Sequence, residues 1–408
     1  MRRRLGLLLV VVLLGPLPGA AAPGLGSAVD ETPLAAAQRL LDTRVTAVKR
    51  GDRAAFLATV DPEAPRSFRD AQGSSFDGLR SVPLSGYRLE ARVSDTGDLA
   101  AGAKGRYGGA PVFLPETRQT YRLEGYDDRD VIDALWLTYV RRGDRWYVGG
   151  DTDLQDLGIE TTRNLWDLGP VRLKPTDHFL VLSHPGQAER ADALAGLVER
   201  AVKILDQRWP LPWSGRIPLI LPGSVKELET IIQSTVDLDK FVAFVGYGAN
   251  RDAGFRLTAP RMYIQDKNLG KYPADYQVET LVHELTHAAA VAVSGQIGPN
   301  WMHEGTAEWS ARGRPTNDAR PRGADRALPR DYEFNSGSQS EIVRAYGEAR
   351  SAVSTLARLE GVDAPPAFLQ AMGRIGVEPG TTDYHVDRVL RAVTGMGTAE
   401  LERAWVGR

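Results

Sequence analysis

Apolar and polar positions keep two different rhythms along this chain. Over residues 32 to about 155 a helical rhythm comes first. Leu34 to Lys49 predicts a helix, Gly51-Asp52 breaks it, and Arg53 to Thr59 resumes it. After Asp61-Pro62 the step shortens to two. Tyr87 to Val93, Thr117 to Leu123 and Leu135 to Val140 alternate apolar with polar, which predicts half-buried strands; Arg145 to Val148 closes the set after a Gly143-Asp144 turn. Helices followed by a meander of long antiparallel strands predict an α+β cone. Trp136, Tyr139, Trp146 and Tyr147 read as core and cross-strand pairs, and nothing in this part stands out as catalytic. The expectation is a binding, positioning or inhibitory module.

Residues 156–177 read as a connector holding a short amphipathic piece, and residues 178–408 as a second domain. His178 to Ser183 predicts a strand, Ala188 to Arg208 a helix, Ile217 to Leu221 a strand, Ser224 to Ser234 a helix, and Gly254 to Ile264 an edge strand. A long helix follows. Its apolar stripe is Val278, Leu281, Val282, Leu285, Ala288, Ala289, Ala292 and Val293, with Asp275 capping the start and Gly295 marking the end.

The polar face of that helix carries chemistry. His283, Glu284 and His287 form H-E-x-x-H, and residues four apart on a helix lie one above the other. The two rings can therefore place nitrogens about 2 Å from one zinc ion. Glu284 points past the metal and can take a proton from the water that the metal activates. A catalytic zinc usually has three protein ligands. Glu304 is the best candidate for the third, and His303 is its rival.

The stretch around Glu304, from Pro299 to Trp309, resembles the W-x-x-E-G-x-A-x-[YW] segment of gluzincin zinc metallopeptidases, the group that includes zinc aminopeptidases and bacterial peptidase MA-like domains. The resemblance covers roughly residues 175 to 408. It implies a small sheet with packed helices and a mostly helical C-terminal half. It makes Glu304 the third ligand and sets Glu308, one turn on, beside the ligand histidines as a hydrogen-bond acceptor. An ordinary solvated carboxylate is the other reading of Glu308. A metzincin pattern fails, because Ala290 and Val293 stand where it needs Gly and His. Ala345 to Leu356 opens a further helix and resembles the Y-x-x-[AG] helix start that follows the zinc site in gluzincins. That implies Tyr346 as donor to the developing oxyanion, a direct way to stabilise growing negative charge. Core packing explains Tyr346 equally simply, and Tyr384 and His385 are alternatives for the role. The aminopeptidase segment that holds a free substrate amine is missing, so an endopeptidase fits better. The first domain resembles cystatin-like, nuclear-transport-factor-2-like cones, including their helix, Gly-Asp, helix opening.

Composition then narrows the setting. A chain of 408 residues with 42% hydrophobic content suits two domains, and a net charge of −2 offers nothing to nucleic acid. Arg2 to Arg4, an apolar run to Leu17, and small residues at Ala20 to Ala22 predict a signal peptide over residues 1–22 and a secreted or cell-surface protein. A span needs about 20 apolar residues, and Gly15, Pro16 and Pro18 cut this run short, so no stable membrane span is expected after cleavage. With no cysteine there are no disulfides, and stability must come from packing and metal. Between Arg312 and Ser340 an Arg-rich stretch (Arg312, Arg314, Arg320, Arg322, Arg326, Arg330) reads as a solvated loop or a basic cleft rim. The sequence carries no sign of oligomeric state. The leading expectation is an exported Zn2+ peptidase acting on peptides or proteins. A catalytically silent zinc-binding module is the alternative. A purely structural zinc is disfavoured, since such sites are usually closed and built with cysteine.

Overall fold

The computed structural model describes residues 31–94, 104–233, 237–250, 256–313, 327–375 and 383–406. The expected signal peptide, Arg314, Arg320, Arg322 and Arg326 lie outside them. The fold is mixed α+β. Helices α1 (Pro33–Arg50), α2 (Arg53–Leu57) and α3 (Arg66–Ser81) precede strands β1 (Leu84–Arg92), β2 (Val112–Phe113), β3 (Glu116–Leu123), β4 (Val131–Leu135), β5 (Thr138–Arg142) and β6 (Arg145–Gly150). The strands form two three-stranded antiparallel sheets, β1-β3-β4 and β2-β5-β6.

Two expectations change here. Residues 66–81 form a helix that the alternation reading passed over. Gly73, Gly78 and several serines weaken its propensity, yet buried Gln72, Phe76 and Leu79 recur at helical spacing. The predicted strand Leu135 to Val140 is broken at Trp136-Leu137 into β4 and β5, which lie in different sheets. Tyr139 and Trp146 are buried in the core, as their alternation required.

The connector reading also changes. Within residues 156–177 lie α4 (Leu165–Leu168), which packs on α3 where Gly78 leaves room for the Trp166 backbone, and β7 (Arg172–Pro175). Strand β7 pairs with β8 (Phe179–Ser183), so this segment is shared between the two parts of the chain. Then come α5 (Ala188–Asp206), β9 (Ile217–Leu221), α6 (Val225–Ile232), β10 (Ala243–Asn250) and β11 (Arg256–Ile264). The five-stranded sheet runs β10-β11-β9-β8-β7, parallel at its centre and antiparallel at both rims. Strand β11 was expected at the edge; β10 lies outside it and is the true edge.

Both faces of this sheet are covered, which explains the uninterrupted apolar runs of β8 and β9. Phe179, Val181, Leu219 and Met262 face one core, made with helices of the C-terminal half. Leu180, Leu182, Ile220 and Ala259 face the other, made with Phe56, Tyr121 and Trp166 of the N-terminal part. Across that second interface Arg261 donates two hydrogen bonds to the Asp127 carboxylate, at 2.9 and 2.8 Å, with both side chains buried.

The C-terminal half adds α7 (Asp266–Leu269), α8 (Ala274–Ser294), α9 (Asn300–Arg312), α10 (Gln339–Glu360), α11 (Ala364–Ile375), α12 (Asp383–Thr394) and α13 (Thr398–Val406). In α8, Val278, Leu281, Val282, Leu285, Ala288 and Ala289 are buried, while Ala292 is exposed and Val293 half-buried near the helix end. Asp275 does not cap the helix but pairs with Arg200 at 2.9 Å. Helix α10 starts six residues before Ala345, behind a capping box in which Ser338 and Glu341 satisfy each other's backbone N–H groups.

Removing one partner of a buried ion pair strands the other charge, at a cost of about 3–5 kcal/mol. Asp127→Ala is therefore expected to lower unfolding stability by about that amount in denaturant titration. A loss under about 1 kcal/mol would show that the pair behaves as a solvated contact.

Candidate metal centre

Three elements meet at H-E-x-x-H. Helix α8 presents His283 and His287 one turn apart, with ring centroids 4.8 Å apart. Helix α9 brings Glu304 against them. It can come close because Gly305 faces α10: a Cβ there would meet the Ala349 carbonyl oxygen at 2.5 Å and Val353 Cγ2 at 2.7 Å. Helix α10 supplies Tyr346, whose ring lies 6.2 Å from His283 and meets Phe334 edge-on at 5.3 Å.

Three ligand atoms converge. His283 Nε2 and His287 Nε2 are 3.0 Å apart, and Glu304 Oε2 lies 3.3 Å from the first and 3.2 Å from the second. Together they form a metal-holding group among the described residues. Glu304 Oε2 is buried and accepts no hydrogen bond despite this crowding. An unsatisfied buried carboxylate oxygen facing two imidazole nitrogens is costly unless something else fills the shared point. The donor set of two imidazoles and one carboxylate suits Zn2+, so the residues fit the ion.

The surroundings prepare each group. Glu308 Oε1 sits 3.3 Å from His283 Nδ1, on the far side of the ring from the cluster. An Nδ1–H given to Glu308 leaves the Nε2 lone pair for a metal. The ordinary-surface reading of Glu308 fails, since its side chain is 14% exposed and is also paired with Arg312 at 3.2 Å. Burial alone would lower the His283 pKa, but the facing Glu304 and Glu308 carboxylates hold it well above the usual histidine value. Glu304 is held far below the carboxylate range by both histidines, against the opposing effect of burial. Glu284, one residue on from His283, stays outside the ligand set; burial pushes its pKa up, against the two histidines. A carboxylate moved toward neutrality is a better proton acceptor.

The remaining candidates separate. His303 turns away to the Ile297 carbonyl oxygen at 3.3 Å, and burial drives its pKa down to about 4, so it stays neutral and outside the ligand group. Tyr346 is brought in; burial, then Glu304 and Glu284, raise its pKa. Tyr384 instead stands 67% exposed against His385, ring to ring at 5.6 Å. His178 and His184 are spent elsewhere, on Glu199 and on Glu227 and Pro170. Arg312 pairs with Glu308 and Glu279, and Arg330 with Asp383.

One residue went unnoticed in the sequence: Tyr247 on β10. Its hydroxyl is buried without a hydrogen-bond partner, and burial, then Glu284 and Glu304, raise its pKa. A lone tyrosine in the Gly246-Tyr247-Gly248 stretch carries no motif, so no sequence signal could have singled it out.

No protein-family model, curated protein or solved structure matches this chain.

Because the facing Glu304 and Glu308 carboxylates raise the His283 pKa, zinc must compete with a proton there. Calorimetry in buffers of different ionisation enthalpy should find about one proton released per zinc near pH 7. Apparent zinc affinity should rise about tenfold per pH unit below the His283 pKa. A pH-independent affinity with no proton release would contradict the raised His283 pKa.

Proposed function

We propose that this chain is an exported zinc-dependent peptidase of gluzincin type, hydrolysing peptide bonds and acting as an endopeptidase. The observation that carries this reading is the convergence of His283 Nε2, His287 Nε2 and Glu304 Oε2, with the Glu284 carboxylate beside them and free of the ligand set. Three ligands leave a position open, whereas a structural zinc fills all four and is usually built with cysteine, which this chain lacks. The cystatin-like and nuclear-transport-factor-2-like reading of the N-terminal part belongs to the same proposal.

A zinc ion in this position would polarise the scissile carbonyl and acidify the attacking water. The chain's own groups then do the rest. Glu284 accepts the water proton and returns it to the departing nitrogen. Glu308 keeps the His283 ring oriented through Nδ1. Strand β10 ends the sheet among the described residues, and an edge strand is where an extended peptide can pair by its main chain, which favours cleavage within a chain over recognition of a free amine.

The alternative class is a secreted binding module that keeps the metal without turnover. The buried Glu284 speaks against it, because a carboxylate buried without a task only costs stability. A peptide-library cleavage assay on the mature protein and on Glu284→Gln separates the two. The expected result is one zinc in both proteins, chelator-sensitive cleavage in the wild type, and a fall of about 10²–10⁴-fold in the variant. Zinc in both proteins with no cleavage in either would favour the binding module.

A further inference from the structure

We propose that Tyr247 is a further catalytic residue of this centre, donating its hydroxyl hydrogen to the scissile carbonyl oxygen, while Tyr346 positions Glu304. The proposal rests on the hydrolytic reading above.

Three observations place the hydroxyl. Along β10, Val245 packs into the core on the α8 side, so Tyr247, two residues on, shares that face. Helix α8 packs on β10, and burial, then the charges of Glu284 and Glu304, raises the Tyr247 pKa. Its hydroxyl is buried with no partner, a state not shared by the Tyr346 hydroxyl, whose pKa Glu304 raises most after burial. A buried unsatisfied hydroxyl beside a reaction centre is a donor waiting for an acceptor.

The strand is built to aim it. The β10–β11 register slips between Gly246 and Gly248: Tyr247 alone stands opposite two residues of β11, Ala259 and Pro260, so the bulge lies on β11 and β10 keeps its alternation. Within that bulge Ala259 adopts φ 51°, a left-handed conformation that a residue with a Cβ rarely takes. Pro260 follows and has no N–H to offer the ladder. Arg261 pins this distortion: while gripping Asp127 it also donates to the Ala259 carbonyl oxygen at 2.8 Å. Bulges of this kind re-aim side chains next to active sites. The N-terminal part thus holds β11, the strand that pairs with Tyr247's own.

In the reaction the water oxygen bonds to the carbonyl carbon and the C=O π pair moves onto the carbonyl oxygen. Glu284 takes the water proton and passes it to nitrogen as the C–N bond breaks. Tyr247 keeps its own proton throughout and lends only a hydrogen bond to the growing negative charge.

Tyr247→Phe and Tyr346→Phe test this, with zinc affinity measured by chelator competition and binding of acetohydroxamate to the zinc-loaded proteins measured by calorimetry. Tyr247→Phe should melt no lower than wild type, since its hydroxyl has no partner to lose. It should keep zinc affinity within about twofold and bind acetohydroxamate about 10–100-fold more weakly, as expected for a lost hydrogen bond to a charged acceptor. Tyr346→Phe should weaken zinc and leave acetohydroxamate binding to the loaded protein unchanged. Unchanged acetohydroxamate affinity in Tyr247→Phe, or its loss in Tyr346→Phe instead, overturns the proposal whether or not the wild type cleaves peptides. The expected pattern in a wild type that cleaves nothing would keep the hydroxyl's placement and sink the hydrolytic reading.

Discussion

The packing of α8 between the edge strand, α5 and α9 is the constraint on which the centre depends. Its apolar side is fixed by Val278, Leu281, Val282 and Leu285, each buried and each contributing about 1.5–3 kcal/mol. With that side committed to the core, His283, Glu284 and His287 have nowhere to point but toward α9 and β10. Gly305 completes the arrangement by letting α9 close on α10, which carries Glu304 up to the two rings. The polar residues are held in place by apolar packing that never touches the metal site.

The cluster is electrostatically tense as it stands. Two imidazole nitrogens and a carboxylate oxygen lie within 3.3 Å of one another, and the oxygen is left without a hydrogen bond. A divalent cation relieves this crowding where a proton only partly does, because the cation meets all three lone pairs at once. Glu308 and Arg312 extend the same logic outward, orienting the ring of His283 and holding the carboxylate that orients it. The doubly covered sheet ties the N-terminal part into this system through the buried Arg261–Asp127 pair.

Much of this was legible in the sequence, and the reasons for the rest are physical. The long elements β8, β9, α5 and α8 announced themselves because burial on one or both faces writes a clear period into the chain. The helical spacing of His283 and His287 and the Glu304-Gly305 pair pointed to the centre without any tertiary information. Residues 66–81 were missed because their helix is held by contacts, with Gly78 fitted against Trp166, and not by propensity. The edge strand was misplaced because Gly246 and Gly248 depress the strand signal of β10, although Gly246 is needed beneath the Tyr263 ring. The start of α10 could have been found, since Ser338 followed three residues later by Glu341 is a capping signature. Tyr247 could not, because its meaning comes from a bulge and a neighbour almost 40 residues away in sequence.

The most direct test of the central claim is X-ray absorption at the zinc edge on the zinc-loaded mature protein, paired with metal stoichiometry. The account predicts one zinc per chain with two imidazole nitrogens and a carboxylate oxygen at about 2.0–2.2 Å, and loss of that shell in Glu304→Ala. No stoichiometric zinc, or a shell without imidazole scattering, would contradict it.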